Sequence, residues 1–580
     1  MVMAVQTIHP VAHLPLVLGV LRRLEVSTVI DRLIPSHPAH VLSAGRGVEA
    51  WVLAILDGDH ALYKVGRRLD ERGMLELLQP GLTRASLHDY RLGHILDALF
   101  AANLNRVFSA LALQALEVYA LPTPWLHQDT TTIALYGAYA DAPKLPGAPR
   151  PAYGHSKDGR DDLKQVLLSL GVSGDGGIPL RLGVRDGNRS DSVETPVAIE
   201  ECLALGLAGV RGIVADSKAY SRRTLGVCLE HKVDLVTLVP RTCAVRQELE
   251  VWGRQQLALP LVVEKPGRTK DEAPRRWHGQ SVSRRVEVEY SDGRVALEAL
   301  RFVVVHSSQL AHQQTQTYAS GQAKEAEAVA DHVTQVQARW FACLPDAEAA
   351  LAEYGCQRPG RRGRRPRPWR YHAVRYRIVA DTRRTRRTRR GRPAKTEPPP
   401  LESGYRLVVE VEGLPNSEED NGWTVLATTV STEACTDAAV LQAYQEQNTS
   451  VEPGFRWIKN PAAISPVWLE KPERIAALAM LTVVSLLVYT VIQRQVRLYL
   501  CTHEQQLPGN KGETATPTAA VVLALFAQVA LVQFGIGDQE VMQVYSIQPY
   551  HLLSCDALGL DSSWYEAPLA HKNGRFSQSP

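Results

Sequence analysis

WLHQDTTTIALYG, residues 125–137, sets a bare carboxylate, Asp129, in the middle of a run of Thr, Ile, Leu and Tyr with the composition of a strand. A lone Asp on a solvated strand face would need no explanation, but one inside a sheet needs partners from elsewhere in the chain. The residues that follow supply an alternation of elements. KQVLLSLGVS (164–173) is a second apolar β-rich run, and the turn GDGG leads into a third, IPLRLGVRDG (178–187). SDSVETPVAIEECLALGL (190–207) opens with a capping Ser/Asp and continues as a helix. GVRGIVADS (209–217) is a fourth strand that ends on Asp216, and a helix at SRRTLGVCLEHK precedes a fifth, DLVTLVP (234–240).

The order β-β-β-α-β-α-β, with one acid in the first strand and another at the end of the fourth, is that of an α/β chain with a ribonuclease H-like mixed-sheet core. In such a sheet the first and fourth strands are neighbours, so Asp129 and Asp216 are expected to meet at one edge. Two close carboxylates repel, and one takes up a proton unless a cation intervenes. Hard oxygen ligands favour magnesium or manganese for that role.

With 580 residues, 45% of them hydrophobic, the chain can bury more than one core. Its eight cysteines are scattered without a CxxC pair or a Cys/His cluster, which points to a reducing cytoplasm and argues against a disulfide framework or a structural zinc. The N-terminus has no basic region ahead of its apolar stretch, so no secretory signal is expected. IAALAMLTVVSLLVYTVIQ (475–493) is long enough to span a bilayer. Thr482, Ser485, Thr490 and Gln493 interrupt it and charges flank it closely, so the expectation is a helix buried between protein layers, with no membrane partner.

The net charge of +4 conceals an asymmetry: residues 358–395 hold 17 Lys and Arg and a single acid, Asp381, which leaves 48 basic against 60 acidic residues elsewhere. Basic charge is thus concentrated where a polyanion could meet it. Within TRRTRRTRRGRPAK (382–395), the core Arg390-Gly391-Arg392-Pro393 resembles an AT-hook, an extended element of the DNA minor groove, and makes Arg390 and Arg392 candidate DNA contacts. Read as a solvated linker, the same tract would still bind nucleic acid without specificity.

Periodicity and composition divide the chain into a helical N-terminal domain (1–121), a first part of the core (122–240), a β-rich insertion with a helical arm and the basic tract 358–395 (241–430), a second part of the core (431–500), and a C-terminal helical extension and tail (501–580).

The segment 443–497, AYQEQNTSVEPGFRWIKNPAAISPVWLEKPERIAALAMLTVVSLLVYTVIQRQVR, resembles the C-terminal signature of bacterial insertion-sequence DDE transposases of the IS-four superfamily, in which a Tyr, an Arg, a catalytic Glu and a Lys recur on one helical segment. Tyr444, Glu452 and Lys459 match the Tyr, Glu and Lys. HQDTTTIALYG, YGHSKDGRDDLKQ, DGGIPL, DGNRSD and IVADSKAYS resemble the family in the same order, so the likeness covers roughly residues 10–540. Gln447 stands where the signature has Arg, Tyr444 lies eight rather than seven residues before Glu452, and Pro453 places Glu452 at a helix start or kink. Glu446 and Glu470 are competing acids for the third position.

The resemblance implies a catalytic triad of Asp129, Asp216 and Glu452 holding two divalent ions, Mg2+ or Mn2+. Tyr444, Arg456 and Lys459 are implied contacts to DNA, Arg456 and Lys459 lying one and two helical turns beyond Glu452. The implied function is that of a transposase that binds the terminal inverted repeats of its own element, cuts the ends and joins them to target DNA by a cut-and-paste route. It would act as a homodimer or higher multimer on paired ends, in the bacterial cytoplasm at the nucleoid. The N-terminal domain and the insertion would recognise the double-stranded DNA. The alternative is a DNA-binding derivative that keeps the fold without strand transfer. Asp158, Asp161, Asp162, Asp186 and Asp191 read as turn and cap residues; His127 and His155 read as neighbours of the site, and Trp423 and Trp457 as core.

Overall fold

The computed structural model describes residues 4–37, 40–59, 61–122, 124–139, 145–204, 210–267, 274–354, 357–358, 367–384, 401–416, 421–460, 464, 467, 469–536, 539–566, 569–572 and 575–576. The chain forms two compact units: Met1–Cys243, Ser281–Val303 and Leu426–Pro580 make the first, and Ala244–Gln280 and Val304–Val425 the second.

The first unit opens with a strand, β1 (Ala4–His9), followed by the helices Leu14–Arg23, Val26–Leu33, Ala44–Leu56, Leu62–Glu71, Asp89–Ala101 and Leu104–Val118. Leu92, Ile95, Leu96 and Leu99, at helical spacing, bury one face of Asp89–Ala101. The Ser43 side chain caps Ala44–Leu56 by accepting from the Arg46 N–H at 3.1 Å, and that helix carries the fully buried Trp51. β1 pairs antiparallel with the strand Ala530–Ile536, which pairs in turn with Gln539–Tyr545. Residues 501–580, expected as a helical extension, therefore hold sheet strands beside the helices Ala519–Leu525 and Pro549–Leu558. The run TAAVVLALFAQVALVQFGI is apolar but for Thr518, Gln528 and Gln533 and has no period to separate its helical half from its extended half; the extended half is fixed by backbone pairing to β1, a partner more than 500 residues away in sequence.

The central sheet is mixed. β2 (Trp125–Leu135) pairs antiparallel with β3 (Lys164–Ser173), and β3 with β4 (Pro179–Asp186). On its other side β2 runs parallel to β5 (Gly212–Ala215), and β5 parallel to β6 (Asp234–Leu238). Beyond β6 the order continues through the strand Trp423–Thr428 to β9 (Val295–His306), β8 (Arg275–Glu289) and β7 (Leu261–Lys265). The helices Asp191–Ala204 and Arg222–Glu230 connect β4 to β5 and β5 to β6. β3 is buried along nearly all its length and β2 along most of its own, as expected of strands covered on both faces.

The apolar segment lies within the 31-residue helix Pro472–Thr502, whose most apolar window is 94% buried inside the protein. Its hydroxyls are satisfied within the helix: Thr482, Ser485 and Thr490 donate to the carbonyls four residues back at 3.0, 2.9 and 2.9 Å. This removes the cost of polar atoms in a core element.

The second unit is built on the 30-residue helix Ser308–Gln337, the helix Leu344–Tyr354 and a two-stranded ribbon, His372–Arg384 with Leu401–Gly413. Val336, Phe341, Trp369 and Leu407 lie in its core. Glu325, buried, accepts from the backbone N–H groups of Arg370 (3.0 Å) and Tyr371 (2.7 Å) and pairs with His372 Nδ1 at 3.2 Å. Half of the basic tract, residues 359–366 and 385–395 with Arg390 and Arg392, lies outside the described residues.

Candidate active site

Strand register brings the first two acids together. β2 and β5 run parallel with Gln128 beside Ala215, so the next residues along, Asp129 and Asp216, emerge at the same end of neighbouring strands, close enough for the charge of Asp216 to act on Asp129. Asp129 stays on the sheet, accepting from the Thr130 N–H at 2.7 Å. Asp216 ends its strand and caps the short turn Ser217–Ala219 by accepting from the Lys218 N–H at 2.9 Å.

Electrostatics follow from that placement. Burial, offset in part by Lys157 and the Thr130 N–H and reinforced by the charges of Asp216 and Asp191, raises the Asp129 carboxyl to about 6. Asp216 is also raised, first by burial, then against the Lys218 N–H bond by the charge of Asp191. Both carboxyls therefore resist ionisation in the absence of a cation.

Two further residues complete the group, and neither stood out in the sequence. The Lys157 ammonium donates to Thr130 O at 2.6 Å and Thr130 Oγ1 at 2.7 Å, and stands 3.5 Å from Asp191 Oδ2 and 3.9 Å from Asp129 Oδ1. Thr130 Oγ1 donates to Asp191 Oδ1 at 2.6 Å. Asp191 does begin the helix Asp191–Ala204, as its capping pattern indicates, but its carboxylate also faces β2. Within SKDGRDD, Lys157 stands among turn residues; the signal that could have singled it out is the hydroxyl of Thr130, one position after Asp129, which offers both an acceptor and a donor to the loop and helix above.

A buried network holds the next position along β2. The Arg181 guanidinium, 2% exposed, donates to Ser169 Oγ (2.7 Å), Gln128 Oε1 (3.2 Å) and Glu194 Oε1 (3.0 Å), and also pairs with Glu201. Gln128 in turn donates to Ser169 Oγ at 2.9 Å, so the strand next to Asp129 is fixed on its helix-facing side. His127, two residues before Asp129 on the opposite face from Gln128, is fully buried, and burial pushes it down to about 4, opposed by the Gln447 side chain.

Glu452 is the first residue of a seven-residue helix, Glu452–Ile458, with Pro453 in its first turn, where a missing N–H costs nothing. The preceding helix, Asp437–Ser450, carries Tyr444, half-buried, and is anchored to the sheet: Gln447 Nε2 donates to Gln128 O at 3.2 Å, and Ser450 Oγ to Gly174 O at 3.0 Å. Gln447, where the signature has Arg, thus bonds the backbone beside Asp129. The Glu452 side chain is 59% exposed and pairs with Arg456 at 3.2 Å; Lys459 Nζ is 2.5 Å from Asp158 Oδ1. Trp457 packs against Tyr489, and Glu446 lies near His127 and Gly174. The structure therefore brings Asp129, Asp216, Asp191 and Lys157 together and leaves Glu452 with Arg456. Among the described residues no three His, Cys, Asp or Glu side chains stand close enough to hold a metal ion between them.

In comparisons with known proteins, residues 6–113 match a domain of unknown function (DUF4277), which covers most of the N-terminal helices. No curated protein matches. Among solved structures, the piggyBac transposase synaptic complex with hairpin DNA is similar at 10% identity and a TM-score of 0.25, over 50% of this chain and 60% of that one; the chain thus spans less than two thirds of that protein's length. The family model of the transposase DDE domain matches residues 129–488, from the first acid of the site through most of the long apolar helix. With well over half its length inside that match, this chain belongs to the transposase DDE domain family.

Proposed function

We propose that this chain is a DNA transposase that binds the terminal inverted repeats of an insertion sequence, cleaves at the ends and transfers them to target DNA by a cut-and-paste route. DDE transposases generally use divalent metal ions. The observation that carries the reading is the pairing of Asp129 with Asp216 across parallel strands, both raised by burial and by neighbouring negative charge. Such a pair of hard oxygen donors fits a divalent cation, and Mg2+ or Mn2+, two ions in this reading, is its natural complement. Bound there, such ions would activate a water or a 3′-hydroxyl and stabilise the leaving oxygen of a phosphodiester.

Asp129 and Asp216 would hold the cation on the sheet, with Glu452 as the third carboxylate, and Arg456, Lys459 and Tyr444 would contact the DNA backbone. The β4-β3-β2-β5-β6 order supports a ribonuclease H-like core. The N-terminal helices and the second unit, with the basic tract at Arg390 and Arg392, provide further contacts to duplex DNA, and paired ends are held by a homodimer or larger multimer. The setting is the bacterial cytoplasm, at the nucleoid.

The test is a strand-transfer assay on a duplex that carries the element's ends. Asp129→Asn, Asp216→Asn and Glu452→Gln are each expected to lower the rate by at least about a hundredfold, because loss of a direct ligand exceeds the ten- to hundredfold cost of losing an outer partner. Full activity in Asp216→Asn would overturn the reading. The ion pair between Glu452 and Arg456 favours one alternative, a DNA-binding derivative without strand transfer; it predicts end binding by the wild type with no joined product at any Mg2+ or Mn2+ concentration.

A further inference from the structure

Lys157 stands close to the paired acids and its charge acts on both, yet it is not seated on them. Its short bonds go to Thr130 O and Thr130 Oγ1, at 2.6 and 2.7 Å, and of the two carboxylates it faces, Asp191 is nearer (3.5 Å) than Asp129 (3.9 Å). Asp191 is itself fixed, because Thr130 Oγ1 donates to it at 2.6 Å and because it begins a helix whose Glu194 and Glu201 are clamped by Arg181 and Arg185. Thr130 therefore binds both members of the pair and sits next to Asp129 in sequence.

We infer that Asp191 and Lys157 form a positioning pair in which Asp191 neutralises the ammonium and keeps it off Asp129, leaving Asp129 and Asp216 open to a divalent cation. The inference rests on the metal-binding reading above and extends it to two residues outside the proposed triad. The physical argument is one of charge count. With both partners present the pair is net neutral, and the site keeps the charge of its own carboxylates. Without Asp191, the ammonium is a free positive charge a few ångströms from Asp129 and competes with the metal. Without Lys157, Asp191 adds an uncompensated negative charge and metal binding tightens. Without both, the balance returns.

Mn2+ titration of the full-length protein, followed by the electron paramagnetic resonance of the free ion, reads this directly. Even screened as in bulk water, a unit charge about 6 Å from a divalent ion shifts affinity by about tenfold. Asp191→Asn is expected to weaken Mn2+ binding by about that factor, Lys157→Met to tighten it by about as much, and the double variant to return to within about twofold of wild type. Lys157→Arg, which keeps the charge, is expected to stay near wild type. Two single effects in the same direction, or a double variant no better than Asp191→Asn, would overturn the pair. A second measurement does not depend on the metal: in EDTA, the melting temperature of the double variant should fall by less than the sum of the two single losses, and additive losses would overturn the pair there. If wild-type protein binds no Mn2+, the proposed function fails, and the EDTA melting cycle still decides whether Lys157 and Asp191 are coupled.

Discussion

Asp129 and His127 sit two residues apart on one face of β2, and burial moves them in opposite senses. Asp129 is raised to about 6, so the folded protein holds a proton there that the unfolded chain has already released; its contribution to stability is present at low pH and is lost as pH rises from about 4 to about 6. His127 is lowered to about 4, so the unfolded chain binds a proton that the folded protein refuses, and its contribution is lost as pH falls from about 6.5 to about 4. Each is of the order of 2 to 3 kcal/mol, and across the shared window they largely cancel. Removing one should therefore uncover the other. Urea unfolding in EDTA should show Asp129→Asn losing stability on acidification from pH 6 more steeply than wild type, and His127→Gln gaining stability over the same interval. Wild-type pH dependence in either variant would refute the assignment. Asp129→Asn should also be more stable than wild type near neutral pH, as expected where function places an ionised group in a partly buried site.

Glu452 is positioned by a helix and by the turn on which that helix rests. Gly177, in the turn between β3 and β4, has φ +63, and a Cβ there would lie 2.4 Å from the carbonyl oxygen of Ser450, two residues before Glu452. Gly177→Ala should cost about 1 to 3 kcal/mol from the left-handed backbone and the clash together, and should also weaken Mn2+ binding by displacing the helix. Gly293 is the control: its φ is +84, in the turn between β8 and β9, but a Cβ added there would meet nothing within 4 Å, so Gly293→Ala should lower the melting temperature without changing Mn2+ affinity. Equal effects on Mn2+ affinity in both variants would show that the turn does not place the helix. This contrast marks how far the sequence can be read. The strand order and the two acids at its edge follow from local patterns, because each strand is a short apolar run bounded by turn residues. The burial of Pro472–Thr502 follows from its composition and flanking charges. The seats of Lys157 and Asp191 depend on which side chain faces Thr130 across a loop, which period and propensity do not encode. The sheet formed by β1 and Ala530–Ile536 pairs the two ends of the chain through backbone groups, so neither end shows it alone.

Over the whole chain, charge is divided more sharply than fold. The tract 358–395 carries 17 basic residues and one acid, while the remainder has 48 basic and 60 acidic residues. A polyanion that approaches the protein is therefore attracted by the tract and repelled, on average, elsewhere. On the ribbon of the second unit most of the described arginines are already engaged: Arg375 pairs with Glu412 at 3.9 Å, Arg377 with Glu410 at 3.6 Å, Arg383 with Glu402 at 2.9 Å and Arg406 with Asp381 at 3.2 Å. The ribbon strands thus offer little uncompensated charge, and the excess lies in the residues between and before them. If this excess carries DNA affinity that is independent of sequence, each arginine that neutralises a phosphate releases counterions, and affinity falls with salt in proportion to the number of such contacts. Arg390→Ser with Arg392→Ser should then reduce the slope of log affinity against log salt by as much as about 1.8, from about 0.9 for each lost contact to duplex DNA. Fluorescence anisotropy on a duplex of arbitrary sequence, titrated with KCl, measures this slope. Catalysis on pre-cleaved ends at low salt should be little changed in the same variant, because neither arginine belongs to the carboxylate site. An unchanged slope would mean that the tract is a solvated linker and that the DNA is held by other surfaces.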